Sequence, residues 1–115
     1  MNIEELRDYC IAKKGVTESF PFDNDTLVFK VEGKIFLLVN VEKADSFNVK
    51  CDPEEAIKQR EAYSAIVPGY HMNKKHWNTV LLNHGLNRQL LCKLIDDSYR
   101  LIIKGLPKKV QEGYL

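Results

Sequence analysis

The sequence predicts a single-domain α+β protein in two layers, with a mainly antiparallel sheet packed against helices. Three observations predict it. Residues 26–50 hold three short apolar segments separated by tight polar turns, the pattern of a three-stranded antiparallel meander. Two later segments carry strong helix signals, Asp52-Pro53-Glu54-Glu55 and the apolar stripe of 88–104. The chain has 115 residues, the ordinary size of one domain and enough to bury a core without staples.

The first helix is expected over Ile3 to Lys14. Asn2 is its N-cap and Glu5 its capping-box partner; Ile3, Leu6 and Cys10 form the buried stripe with Tyr9 beside it, and Gly15 ends it. After Phe20-Pro21-Phe22 and the polar Asp23-Asn24-Asp25 come two strands. Thr26–Val31 places Leu27, Phe29 and Val31 on one face. Glu32-Gly33 is a hairpin turn into Lys34–Val41, where Ile35, Leu37, Val39 and Val41 share one face and Phe36 and Leu38 the other. That doubly apolar strand should be central and covered on both sides. A third strand, Ser46–Lys50, follows the turn 42–45.

The second helix starts at the clearest local signal in the chain. Asp52 caps it, Pro53 takes the first helical position, and Glu55 completes a capping box. It should run to about Tyr63 and bury Ala56, Ile57 and the stem of Arg60. Pro68-Gly69 is a turn, Trp77–Leu82 a further strand, and Asn83-His84-Gly85 closes it. The last helix, Arg88–Lys104 with Asn87 as cap, carries Leu90, Leu91, Leu94, Ile95, Leu101 and Ile102 on one face, and Gly105 and Pro107 stop it. A basic tail, Lys108-Lys109, follows. No repeats or low-complexity tracts interrupt this order.

Bulk properties narrow the function classes. No apolar run is long enough to span a membrane, and the acidic, amphipathic N-terminus is not a signal peptide; a cytoplasmic protein with no membrane association is expected. Three widely spaced cysteines match no metal motif and fit reduced thiols. Net charge is only +1, but its distribution is uneven. Residues 1–62 hold 9 Lys/Arg against 13 Asp/Glu, whereas residues 63–115 hold 8 against 3, and no acid lies between Glu61 and Asp96. Such asymmetry marks either a polyanion-facing side or two halves that neutralise each other on folding.

The candidate chemistry is sparse. Cys51 precedes a helix N-terminus, which favours a thiolate, but Asp52, Glu54 and Glu55 oppose one, so it reads as a buried structural cysteine. His71, His76 and His84 have neither helical nor strand metal-ligand spacing and read as locally bonded or solvent-facing. Asp96-Asp97 reads as solvated surface. No nucleophile elbow, phosphate loop or dinucleotide fingerprint is present; the expectation is a protein without catalytic residues, metal or cofactor. Tyr70 to Thr79 differs, because it interleaves two lysines, amides and two aromatics with no acid. Lysines and amides suit phosphate oxygens and aromatics suit bases, although Trp77, opening a strand, should be at least partly buried.

The same residues carry a resemblance. Phe20-Pro21-Phe22, Lys50-Cys51-Asp52-Pro53-Glu54, the run from Pro68 to Val80 and Leu106-Pro107-Lys108-Lys109 resemble the signatures of the MmcQ/YjbR family over nearly the whole chain. The resemblance implies a compact α+β fold similar to the CyaY/frataxin-like proteins and a DNA-binding role attributed to wing-like elements. It supplies no catalytic residues. DNA binding is therefore the leading expectation: phosphate contacts from Lys74, Lys75, Lys108 and Lys109 with Arg88, hydrogen bonds from Asn73 and Asn78, and Tyr70 against sugar or base. Four such phosphates would give a slope of log K against log salt of about −3.6. The competing expectations are docking of an acidic protein partner through the same segment, and a small-ligand pocket near Tyr70, His71 and His76.

Overall fold

The computed structural model describes residues 1–69 and 72–115. Among these residues six strands, β1 (Val16–Ser19), β2 (Thr26–Val31), β3 (Lys34–Asn40), β4 (Ser46–Lys50), β5 (Ile66–Pro68) and β6 (Trp77–Leu81), form one antiparallel sheet in the order β1-β2-β3-β4-β6-β5, and the helices pack on one face of it. Helix α1 (Ile3–Ile11) has the full capping box: Asn2 Oδ1 accepts from the Glu5 N–H at 2.8 Å, and the Glu5 carboxylate accepts from the Asn2 N–H at 3.3 Å. It ends at Ile11 rather than Lys14, because the chain turns to enter an edge strand that periodicity did not reveal, β1 (Val16–Ser19). Gly15 makes that turn with φ +72°, and a Cβ there would collide with the Tyr114 hydroxyl.

The meander is present as β2 (Thr26–Val31), β3 (Lys34–Asn40) and β4 (Ser46–Lys50). Glu32 and Gly33 take φ +50° and +73°, the geometry of a two-residue primed turn. One expectation fails inside β3. The register slips between Phe29 and Lys30, so that Phe29 pairs with Leu37 but Lys30 pairs with Ile35. Phe36 is thereby the extra residue of a bulge. It joins the helix-facing core against Phe29 and Tyr99, while Ile35 is moved to the other face beside Lys30. The bulge leaves backbone groups without ladder partners, and the long helix α3 (Arg88–Lys104) satisfies them. Ser98 Oγ, fully buried, donates to Phe36 O at 2.6 Å and accepts from the Lys50 N–H at 2.9 Å.

Helix α2 (Pro53–Ala62) begins at Asp52 as expected, with its carboxylate accepting from the Glu55 N–H at 3.4 Å. Glu55 does not complete the box; its carboxylate turns to Lys58 at 3.5 Å. Ala56, Gln59 and Arg60 face the sheet, which leaves Ile57 53% exposed rather than buried. A second unforeseen edge strand, β5 (Ile66–Pro68), pairs with β6 (Trp77–Leu81). Helix α3 (Arg88–Lys104) is capped by Asn87, whose Oδ1 accepts from the Leu90 N–H at 2.8 Å. It buries Leu91, Leu94, Ile95 and Ile102. The basic tail is not extended: it forms α4 (Lys108–Gln111) and a 3-10 turn (Glu112–Tyr114) that sets Tyr114 on Tyr99.

The core joins Leu6 and Cys10 of α1 and the apolar stripe of α3 to the inward residues of the sheet, including Phe29, Phe47 and Val80. Asp96 does not stand free in solvent. It accepts from Tyr9 Oη at 2.8 Å and pairs with Lys13, tying α3 to α1. Among the described residues, no helix is long and apolar enough to cross a membrane.

Candidate nucleic-acid interface

The residues singled out in the sequence do not gather in one place. Lys74 and Lys75 are exposed on a turn that leads into β6. The turn is held from behind: the Arg60 guanidinium donates to Lys74 O, and Asn73 Oδ1 accepts from the Lys75 N–H at 2.9 Å. Asn73 is thus exposed but partly committed to its own turn. Asn78 is a correction. Its position in β6 opposes Val49 on the helix-facing side, and it is fully buried. Its Oδ1 accepts from Arg60 Nε at 2.7 Å, and its amide donates to Gln59 Oε1 at 3.2 Å and Ala56 O at 3.4 Å. It fastens α2 to the sheet and has no side-chain atom left for DNA.

Arg88 is also withdrawn from the basic set. It pairs with Glu5 of α1 at 2.6 Å, so an acid of the N-terminal half neutralises it. The Asn2 backbone hydrogen bond first, and Arg88 second, hold the Glu5 carboxyl below its usual range. Lys108 and Lys109 are exposed, but α4 follows the C-terminal end of α3 in the helix layer, whereas Arg88 opens α3 some 25 Å away along the helix axis. Tyr70, with His71, lies outside the described residues. His84 bonds locally, with Nδ1 2.8 Å from Leu82 O. Of the pocket expected near Tyr70, His71 and His76, only His76 falls among the described residues, and it lines neither described cavity, although Pro68 and Met72 line the one on the sheet.

What the sequence reading missed is the second face of the sheet. By strand register, its residues are Thr17 and Ser19 of β1, Thr26, Val28 and Lys30 of β2, and Ile35, Leu38 and Asn40 of β3. Ser46, Asn48 and Lys50 of β4, Trp77, Thr79 and Leu81 of β6, and Val67 of β5 continue it. No helix among the described residues covers this face, although Val28 and Leu38 are buried at its middle. None of these strand positions is a carboxylate. Lys30, Lys50, Lys74 and Lys75 make no ion pair among the described residues. A groove of about 420 Å³ crosses the face, lined by Leu38, Asn40, Asn48, Met72 and Thr79, with Lys43 and Asp45 at its rim. Thr79 Oγ1 donates to Asn48 Oδ1 at 2.5 Å. The signal that could have found this face is the alternation itself, once the bulge moves Ile35 across.

A second cleft, of about 380 Å³, lies between α2 and α3. Asp52 and Glu55 line its α2 side and Lys93, Asp97, Arg100 and Lys104 its α3 side, but Lys93 and Arg100 both turn to Asp97, at 2.6 and 3.6 Å. Cys51 lies at its base. Burial first, then Glu55 and Asp52, push its thiol up to about 11, so it stays protonated near neutrality.

A helix layer on one face of an antiparallel sheet, with a cationic turn at one end, places the molecule among two-layer α+β proteins. The chain belongs to the YjbR family, whose model matches residues 11–101. It is similar to the uncharacterized protein YbdF of Escherichia coli O157:H7, with 42% identity over 94 residues, 81% of this chain and 77% of that protein. It is also similar to the uncharacterized protein YjbR of Escherichia coli K12, with 36% identity over 110 residues, 95% and 93% of the two chains. Among solved structures, the Deinococcus radiodurans protein DR2400, with a DUF419 domain, superposes with a TM-score of 0.91 at 36% identity, over 98% of this chain and 87% of that one. A Pseudomonas syringae protein does so with a TM-score of 0.75 at 32% identity, over 88% and 98%.

Proposed function

We propose that this protein is a non-enzymatic, cytoplasmic nucleic-acid-binding module that contacts phosphates through Lys74 and Lys75. The observation that carries the reading is the turn 73–76: two exposed lysines without acidic partners among the described residues, on a backbone held by Arg60 and Asn73. A held turn loses less conformational entropy when it meets a phosphate than a mobile one. A second face free of helices among the described residues, beside a covering helix layer, also supports the frataxin-like arrangement that the resemblance implies. The footprint is smaller than the sequence suggested, since Asn78 and Arg88 are committed elsewhere and Lys108 and Lys109 belong to the helix layer.

Two phosphate contacts on a duplex give a salt slope of about −1.8, and modest affinity. The test is titration of a labelled duplex at two salt concentrations with the wild type and with Lys74→Ala/Lys75→Ala. The double variant should bind more weakly and flatten the slope. Absence of salt-dependent binding in the wild type overturns the reading. If an acidic protein instead co-purifies stoichiometrically and is lost in the double variant, the turn serves a protein partner.

A further inference from the structure

We propose that the helix-free face of the sheet binds single-stranded nucleic acid, with Trp77 as a base-stacking surface and Lys30 and Lys50 extending the phosphate track that Lys74 and Lys75 begin. This inference rests on the proposed nucleic-acid role and names its substrate class. The strand register supplies the geometry. Thr17 opposes Lys30 and Lys30 opposes Ile35 across β1, β2 and β3, and Lys50 opposes Trp77 across β4 and β6; the β3–β4 ladder stops at Leu37–Val49, so the two sets lie at the same end of the sheet on either side of the bulge. Four interstrand steps separate β1 from β6, about 19 Å. Trp77 and Lys50 are directly opposite neighbours, with the two-lysine turn leading into Trp77 from the end of the same strand. Both are partly exposed.

The charge pattern selects the occupant. Around the apolar Val28, Ile35, Leu38, Val67 and Leu81, the strand positions of this face carry two lysines, a tryptophan and a series of amides and hydroxyls (Asn40, Asn48, Ser46, Thr26, Thr79), with no carboxylate; Asn40 and Asn48 use their Oδ1 within the chain, which leaves their amide N–H groups to offer, and Asp45, on the rim of the groove, is the one nearby acid among its lining residues. An acidic peptide would satisfy the lysines but leave the aromatic and the amides without matched partners. Single-stranded nucleic acid offers phosphates to the cations, base edges to the amides and a π-face to the indole. A duplex keeps its bases stacked and hidden from Trp77. The bulge contributes directly. It moves Ile35 onto this face beside Lys30 and takes Phe36 away, while Ser98 fixes the Lys50 backbone from behind.

Trp77 is the only tryptophan of the chain, so its fluorescence reports the face alone. The experiment titrates the full chain with a short oligothymidylate and with a duplex of equal length at several salt concentrations. The oligothymidylate should quench Trp77, with a salt slope of about −2.8 for four lysines on a single strand. The duplex should bind without comparable quenching. Lys30→Gln/Lys50→Gln should halve the slope while keeping the unliganded emission, which checks in the same cuvette that the fold is intact. Trp77→Ala should weaken oligothymidylate binding about 5- to 150-fold, followed with a labelled strand, and Trp77→Phe should restore much of it. Duplex binding with no single-strand quenching, or single-strand binding indifferent to Lys30 and Lys50, overturns the inference and leaves the proposed function standing. No binding to either probe overturns both.

Discussion

The two faces of this sheet are built from the same strands, residue by residue in alternation, yet they do opposite work. The helix-facing side gathers Phe29, Phe36, Phe47, Val80 and Ile66 against α1 and α3, and the buried polar groups of that layer are consumed internally: Asn78 by α2, and Ser98 of α3 by the bulge. The other side carries Lys30 and Lys50, which make no ion pair among the described residues, and partly exposed amides that keep their N–H groups free of partners among those residues. A polar residue's meaning here depends on which face its register assigns it, since adjacent residues in β6 such as Asn78 and Thr79 point to opposite sides.

Substitutions should separate the faces by stability and by binding. The largest effect is expected at Phe47→Ala, which empties a fully buried site and should cost about 3–5 kcal/mol in urea unfolding. Next, Ser98→Ala leaves the Phe36 carbonyl and the Lys50 N–H without their buried partner and should cost about 1–3 kcal/mol, a penalty that reaches across to the second face by loosening Lys50. Tyr9→Phe removes the hydrogen bond to Asp96 and should cost about 1 kcal/mol. Lys30→Gln, on the second face, should change stability by less than about 0.5 kcal/mol while weakening nucleic-acid binding. A helix-face variant that unfolds nothing, or a second-face variant that unfolds the protein, would break the comparison.

Alkaline pH probes the buried face separately. Burial raises the Cys51 thiol to about 11 and Cys10 to about 12, above the ordinary 9.0. A raised thiol pKa means that the fold favours the protonated form. The associated stability is complete below pH 9.0 and is lost as pH rises toward about 11 and 12, because the unfolded chain releases its protons first. The urea midpoint should fall through that range, and a Cys51→Ala/Cys10→Ala variant should lose less of it.

Most of the helix-facing architecture is legible in the sequence, because capping residues and periodic apolar stripes are local signals. Asn2, Asp52 and Asn87 cap their helices as read, and the Glu32-Gly33 hairpin forms. The short edge strands β1 and β5 are not legible, since four and three residues are too few to show alternation and β5 ends in a proline. The bulge at Phe36 is equally silent, as one extra residue reverses the face of Ile35 without altering composition. The candidate site is legible only at Lys74 and Lys75. Asn78 and Arg88 look available in a linear reading, and only the fold reveals their partners Arg60 and Glu5.

Amide chemical-shift mapping of the isotope-labelled protein with oligothymidylate tests the division of labour most directly. Perturbations should cluster at Thr17, Lys30, Lys50, Trp77 and Thr79, on the side opposite the helices. Shifts concentrated on α3, α4 or the cleft beside Cys51, with the second face unmoved, would contradict it.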